Sequence, residues 1–199
     1  MDYDSPFARL AHRYAERGFS PVPIGPHSKV PGFRTRHMNK WQLYCETAAD
    51  HRQIDSWIRR EPEAGIGLAC GYNDLVAVDV DNVKAYPAIC QVFAGTHPPT
   101  KIGRKGASAF FWSEGVFIPS QKFYGKPFPN NEGKMIRSTL VEILALGNQT
   151  VIPDTVHPDT GKPYRWVHAS LEEVRHPSDL PVLTQRMSWR KSSCLSWSA

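Results

Sequence analysis

An α+β domain is the fold class predicted by this 199-residue sequence. Three observations point to it. Helix signals cluster near the N-terminus, while strand-like apolar runs dominate the remainder. Strands and helices do not alternate in the regular order of a parallel βαβ sheet. No internal repeat breaks the chain into smaller units.

The first helix is the clearest element. Ser5 is placed to cap it and Pro6 suits its first position, with Phe7, Leu10, Ala11 and Tyr14 in an apolar stripe at helical spacing. Gly18 is expected to end it. A strand and a Pro-rich turn follow in FSPVPIGPHSKVPGF, leaving Lys29 on an exposed loop. A second helix is expected over residues 47–60, with Thr47 and Asp50 spaced as a capping box and Ile54, Trp57 and Ile58 as its buried side.

Residues 65–71 (GIGLACG) and 75–81 (LVAVDVD) read as two strands joined by the turn residues Tyr72, Asn73 and Asp74. A short helix is expected over residues 83–93. PPTKIGRKGASAFFW holds two strand candidates around Gly103 and Gly106. Residues 119–133 read as a polar, Pro- and Gly-rich excursion, and STLVEILAL as a strand after it. QTVIP and YRWV bracket a tight reversal at HPDTGKP. Ser170, Glu172 and Glu173 mark the start of a last helix. A main domain over residues 1–181 and a C-terminal tail over 182–199, cut short or disordered, are therefore expected.

Composition narrows the class. Hydrophobic content of 41% and charged content of 22% suit a globular protein with a good-sized core. The apolar runs are too short for a transmembrane helix, and MDYDSPFARL lacks the basic-then-apolar order of a signal peptide, so a cytoplasmic protein without a membrane partner is expected. Cys45, Cys70, Cys90 and Cys194 form no C-x-x-C pair and read as reduced structural thiols. The net charge of +5 is compatible with a polyanionic partner.

The most informative stretch is LVAVDVD. Its apolar run reads as a buried strand, and Asp79 and Asp81 follow at i and i+2, so both carboxylates project from one face. Two such charges repel, and a divalent cation is the usual relief. Glu142, inside the apolar run LVEIL, is a third carboxylate that must meet water, a cation or a positive side chain. Together the three suit Mg²⁺ or Mn²⁺, and a pair of such ions would serve phosphoryl or nucleotidyl transfer. Lys101, Arg104 and Lys105, interleaved with Gly103 and Gly106, have the chemistry of a phosphate-binding segment; a solvated basic hairpin is the alternative. His157, held extended by Pro158, is the remaining candidate. His12, His27, His37, His51, His97, His168 and His176 show no ligand spacing.

Taken in order, these segments resemble the N-terminal domain of bifunctional DNA primase/polymerases, the Prim-Pol group of the archaeo-eukaryotic primase superfamily. The likeness runs from about residue 5 to Trp166 or slightly beyond. PVPIGPHSKVPG with Trp41 is similar to the family's Lys-x-Pro loop and following Trp. LVAVDVD is similar to its metal-binding acidic motif, and PPTKIGRKGASAFFW to its second motif, which handles nucleotide phosphates. VEILALGNQTVIPDTVHPDTGKPYRW is similar to the third acidic motif and His-Pro turn. Many members carry a histidine where Ser108 stands; this chain resembles a subgroup reading G-R-K-G followed by a small hydroxyl residue.

The resemblance implies an RRM-like catalytic sheet packed beside a second small α/β subdomain. It implies a metal-dependent primase/polymerase of mobile-element, phage or plasmid replication, a nucleotidyltransferase acting on nucleoside triphosphates with a single-stranded DNA template and primer. Asp79, Asp81 and Glu142 would be the catalytic and metal-binding residues for two divalent cations, with Lys101, Arg104, Lys105, Ser108 and His157 binding the nucleotide. A replicative helicase acting in trans is a further partner it allows. Two alternatives stay open: a catalytically impaired module that retains the fold and binds single-stranded DNA, and a nuclease built on the same carboxylates.

Overall fold

The computed structural model describes residues 3–81, 97–167 and 169–183. Helix α1 (Pro6–Glu16) starts at Ser5, whose Oγ accepts from the Ala8 N–H at 3.2 Å, and it buries Phe7, Leu10, Ala11 and Tyr14. Gly18, at φ 79°, turns the chain into strand β1 (Pro21–Ile24). Strands β2 (Gly32–Phe33) and β3 (Arg36–His37) form a small hairpin. Helix α2 (His51–Arg60) begins later than the sequence reading placed it. Its cap is Asp50, which accepts from the Gln53 N–H at 2.7 Å. The Thr47 N–H instead bonds the Leu43 carbonyl, just past a 3₁₀ turn over Trp41–Cys45 that Glu46 N–H closes and that carried no sequence signal. Two histidines assigned no role, His12 and His51, tie the helices together: their rings stack with centroids 4.9 Å apart, and His12 Nε2 reaches Asp55 at 2.9 Å.

The remaining strands are β4 (Gly65–Ala69), β5 (Leu75–Val80), β6 (Thr100–Ile102), β7 (Ala107–Trp112), β8 (Gln121–Tyr124), β9 (Phe128–Pro129), β10 (Met135–Ile136), β11 (Thr139–Leu144), β12 (Gln149–Val151) and β13 (Arg165–Val167). They form a three-stranded sheet β1-β4-β12 and a six-stranded sheet β13-β6-β7-β5-β11-β8, and within both sheets the pairings are antiparallel. The result is a mixed α+β fold, as expected.

Several local expectations are corrected by long-range pairing. β4 and β5 are the two strands expected on either side of Tyr72–Asp74, and they belong to different sheets. Asn73 and Asp74 both take left-handed backbone conformations, which steers the chain from one sheet to the other. The reversal at HPDTGKP is present, closed by His157 N–H to Lys162 O at 2.8 Å, yet its flanks diverge: β12 joins the small sheet and β13 the large one. The presumed polar excursion contains β8 and β9. The last helix is a single 3₁₀ turn, Leu171–Glu173, capped by Ser170. The helix expected over residues 83–93 lies outside the described residues. Val182 bridges to Trp112 and Leu183 is buried, so the chain still packs on the core just past Pro181; residues 184–199 are outside the description.

The large sheet buries both faces. Leu75 and Ala77 of β5 share one face with Phe110 and Leu144, in a cluster that includes Phe7 and Leu10 of α1, Ile54 of α2, and Ile66 and Leu68 of β4. Val76, Val78 and Val80 face the other way with Phe111, Ile143, Ile118 and Leu183. Because β5 is apolar on both sides, Asp79 interrupts an otherwise greasy strand.

The capping correction has a direct check. Asp50→Ala should lower stability by about 1 kcal/mol through loss of the cap, while Thr47→Ala, at an exposed site outside the helix, should stay within about 0.5 kcal/mol of the parent. Urea unfolding followed by circular dichroism separates the two; equal losses would restore Thr47 as part of the cap.

Candidate active site

Antiparallel register aligns polar side chains in one row across the large sheet. Asp79 of β5 stands directly opposite Ser108 of β7 on one side and Glu142 of β11 on the other. Ser108 in turn faces Lys101 of β6, and Glu142 faces Lys122 of edge strand β8. Directly opposed residues share a face, with Cβ atoms about 4.5–5.5 Å apart. The row therefore reads Lys101, Ser108, Asp79, Glu142, Lys122, on the same face as Ala77 and Phe110. Asp81 lies one pleat beyond, where its N–H bonds the Leu140 carbonyl at 3.1 Å.

Beside this row a cleft of about 360 Å³ opens toward the small sheet. Seven of the eight residues singled out in the sequence line it: Asp79, Asp81, Lys101, Arg104, Lys105, Ser108 and His157. Glu142 is not among its lining residues; its carboxylate pairs with Lys122 at 3.2 Å. Ser108, 2% exposed, donates to Asp79 Oδ1 at 2.5 Å and so orients that carboxylate. Asp81 has its pKa raised, first by burial and then by the like charges of Asp79 and Glu142. Among the described residues no three His, Cys, Asp or Glu side chains are gathered closely enough to hold a metal ion. The donor chemistry of Asp79 and Asp81 nevertheless fits a divalent ion, since their mutual repulsion is what a cation relieves.

The positive side of the cleft is layered. Lys101 is buried, with its ammonium 4.8 Å from the centre of the Tyr164 ring, and burial pulls its pKa down to about 8 against the opposing pull of Asp79. Arg104 and Lys105 stay exposed on the β6–β7 turn. His157 accepts the Asp159 N–H on Nδ1 at 3.1 Å, which leaves Nε2–H as the donor of its neutral form. Burial, then the charges of Lys29, Arg104 and Lys101, lower its pKa and favour that form.

The sequence reading missed Asp159, Gln149 and Tyr164. Asp159 lies 3.5 Å from Lys29 Nζ and 3.7 Å from Arg104 Nη1, an internal anion between two cations. Gln149 donates through Nε2 to the Lys29 carbonyl, while its buried Oε1 has no hydrogen-bond partner among the described residues. All three lie in the stretch around His157 that the sequence reading quoted, but their contacts with Lys29, Arg104 and Lys101 join distant parts of the chain, so no local spacing marked their roles.

The glycines of the basic turn have packing roles. A Cβ on Gly106 would collide with the Val80 carbonyl oxygen, and one on Gly103 would lie 2.7 Å from the Tyr164 ring. These contacts hold β7 against the end of β5 and Tyr164 under the turn.

Lys101 carries a stability consequence. Its folded pKa lies below the ordinary 10.5, so the unfolded chain binds the proton more strongly between about pH 8 and 10.5. Native stability contributed by this group therefore rises with pH across that window. Lys101→Met should raise the urea midpoint at pH 7, and the advantage should shrink as pH climbs toward 10. A variant less stable than the parent at pH 7 would contradict this account of the buried ammonium.

No curated protein shows a significant match to the chain. The family model for the bifunctional DNA primase/polymerase N-terminal domain (Prim-Pol) matches residues 11–183, a span that holds every residue of the polar row and the cleft. With most of its length matched, this chain belongs to the bifunctional DNA primase/polymerase (Prim-Pol) family.

Proposed function

We propose that the chain is a template-directed nucleotidyltransferase that extends or initiates a DNA strand from nucleoside triphosphates. The observation that carries the reading is the cross-strand row in which Asp79, Ser108 and Lys101 line a cationic cleft and Glu142 stands next to Asp79. The six-stranded sheet is then the catalytic sheet, and the three-stranded sheet with α1 and α2 the small α/β subdomain.

Asp79 and Asp81 are the residues to hold divalent ions, with Glu142 joining once it exchanges Lys122 for a cation. Such ions, Mg²⁺ or Mn²⁺, would acidify the attacking 3′-hydroxyl and offset the charge of the triphosphate and leaving pyrophosphate. Ser108 fixes the rotamer of Asp79 through its hydrogen bond. Lys101, in a low-dielectric position, offers a strong cation to a phosphate, and Arg104 and Lys105 supply forked and point donors from the exposed β6–β7 turn. His157 contributes a neutral Nε2–H. Asp159 holds Lys29 and Arg104 in place until a phosphate competes for them. Synthesis within DNA replication, in the cytoplasm and with a helicase in trans, is the setting we propose.

One observation favours a second reading. The Glu142–Lys122 ion pair leaves the third carboxylate engaged, as it would be in a domain that binds single-stranded DNA without synthesis.

Labelled dNTPs or rNTPs, Mn²⁺ or Mg²⁺, and primed or unprimed single-stranded template distinguish the readings. The parent chain should incorporate label, and Asp79→Ala with Asp81→Ala should cut incorporation at least about 100-fold. Undiminished incorporation by the double variant would refute the site. Tight template binding without incorporation by the parent would establish the binding module, and release of nucleotides from DNA without added triphosphate a nuclease.

A further inference from the structure

Residues 121–140 form a feature that the cleft does not use. The segment leaves the large sheet along edge strand β8 and returns along β11, with the β9–β10 pair between them. Gly125 N–H bonds the Ser138 carbonyl at 2.9 Å, and Phe128 and Pro129 pair with Ile136 and Met135. At the tip, Asn130 Oδ1 accepts from the N–H groups of Glu132 at 3.0 Å and Lys134 at 2.9 Å. The segment is thus a hydrogen-bonded β-ribbon. All but four of its residues are exposed.

Its chemistry is unlike that of a solvated hairpin. Lys122, Lys126, Lys134 and Arg137 face a single acid, Glu132. Lys126, Lys134 and Arg137 enter no ion pair among the described residues. Large apolar side chains stand exposed between them: Tyr124 at 53%, Phe128 at 45% and Met135 at 59%, with Phe123 and Ile136 less so. Several large exposed apolar side chains on one short segment are what an interaction site presents. Pro127 and Pro129 lack N–H donors, which with the lysines discourages pairing to another strand edge. Cations that track phosphates, interleaved with rings on which bases stack, are the components of a single-strand grip.

Position completes the argument. β8 runs antiparallel to β11, and β11 antiparallel to β5, so β8 and β5 run the same way and the ribbon departs from the sheet end at which β5 delivers Asp81. A bulge in the pairing between Thr139 and Val141 bends β11 at that point. We propose that this ribbon is a docking arm for single-stranded DNA, holding the strand alongside the carboxylate end of the cleft through Lys126, Lys134 and Arg137 and through stacking on Tyr124 and Phe128. The choice of DNA over other polyanions rests on the polymerase reading; the grip itself rests on the ribbon.

The test is fluorescence anisotropy of a fluorescein-labelled oligothymidylate with the full chain, in the absence of metal and triphosphate, over a salt series. Lys126→Glu, Lys134→Glu and Arg137→Glu together should weaken binding at least about 10-fold and lessen the salt slope by about 2, from three lost phosphate contacts. Tyr124→Ala with Phe128→Ala should weaken binding about tenfold with little change in slope. Thermal melts should match the parent, because these side chains support no core. Unchanged oligothymidylate affinity in the triple variant overturns the proposal, as does an equal loss for a duplex probe. A solution dimer that Phe128→Ala dissolves without affecting DNA binding also overturns it. Arm-dependent binding by a chain that never incorporates nucleotides would sink the polymerase reading and leave the arm standing; incorporation with arm-independent binding would do the reverse.

Discussion

Strand register in the six-stranded sheet carries the candidate site. Asp79 reaches Ser108 and Glu142 only because β5 pairs with β7 and β11 in the observed alignment. A slip of one residue would turn Asp79 toward Val76, Val78 and Phe111, an apolar layer where an unpaired carboxylate is costly. Hydrophobic pattern alone does not select the alignment, since β5 is apolar on both faces. The β6–β7 turn helps to do so, because Gly106 lets β7 approach the Val80 carbonyl more closely than any residue with a side chain could.

Charge balance follows from that alignment. Buried Lys101 lies near enough to Asp79 to feel its charge, Glu142 is paired with Lys122, and Asp159 lies between Lys29 and Arg104. Each of these charges therefore has a counterpart within the chain. A site built this way keeps its charges oriented while empty, and a ligand binds by exchanging partners instead of by meeting bare charges. The cost falls on Lys101 and Asp81, whose proton affinities shift in opposite directions because burial disfavours the ion in both. Perturbed groups lining one cleft are a common mark of chemistry.

The contrast between this packed centre and the ribbon is a division of labour. Core side chains such as Phe7, Phe110 and Leu75 are fully buried and hold the row rigid. The ribbon is joined to the same sheet by main-chain hydrogen bonds but contributes little to either core cluster, so its surface is free to serve contact.

Elements whose causes act within a few residues were legible in the chain: Ser5 and Pro6 with the Phe7, Leu10, Ala11 and Tyr14 stripe specify α1, and the i, i+2 spacing puts Asp79 and Asp81 on one face. The basic turn and the acidic strand could be named for the same reason, as their residues are neighbours in sequence. Which sheet β4 and β5 would join, the pairing of Glu142 with Lys122, the hydrogen bond from Ser108 to Asp79 and the place of Asp159 could not be read that way. Those contacts link residues far apart along the chain, and only the packing of two sheets and two helices decides them, because pairing energy depends on which strands meet and no local propensity encodes the partner.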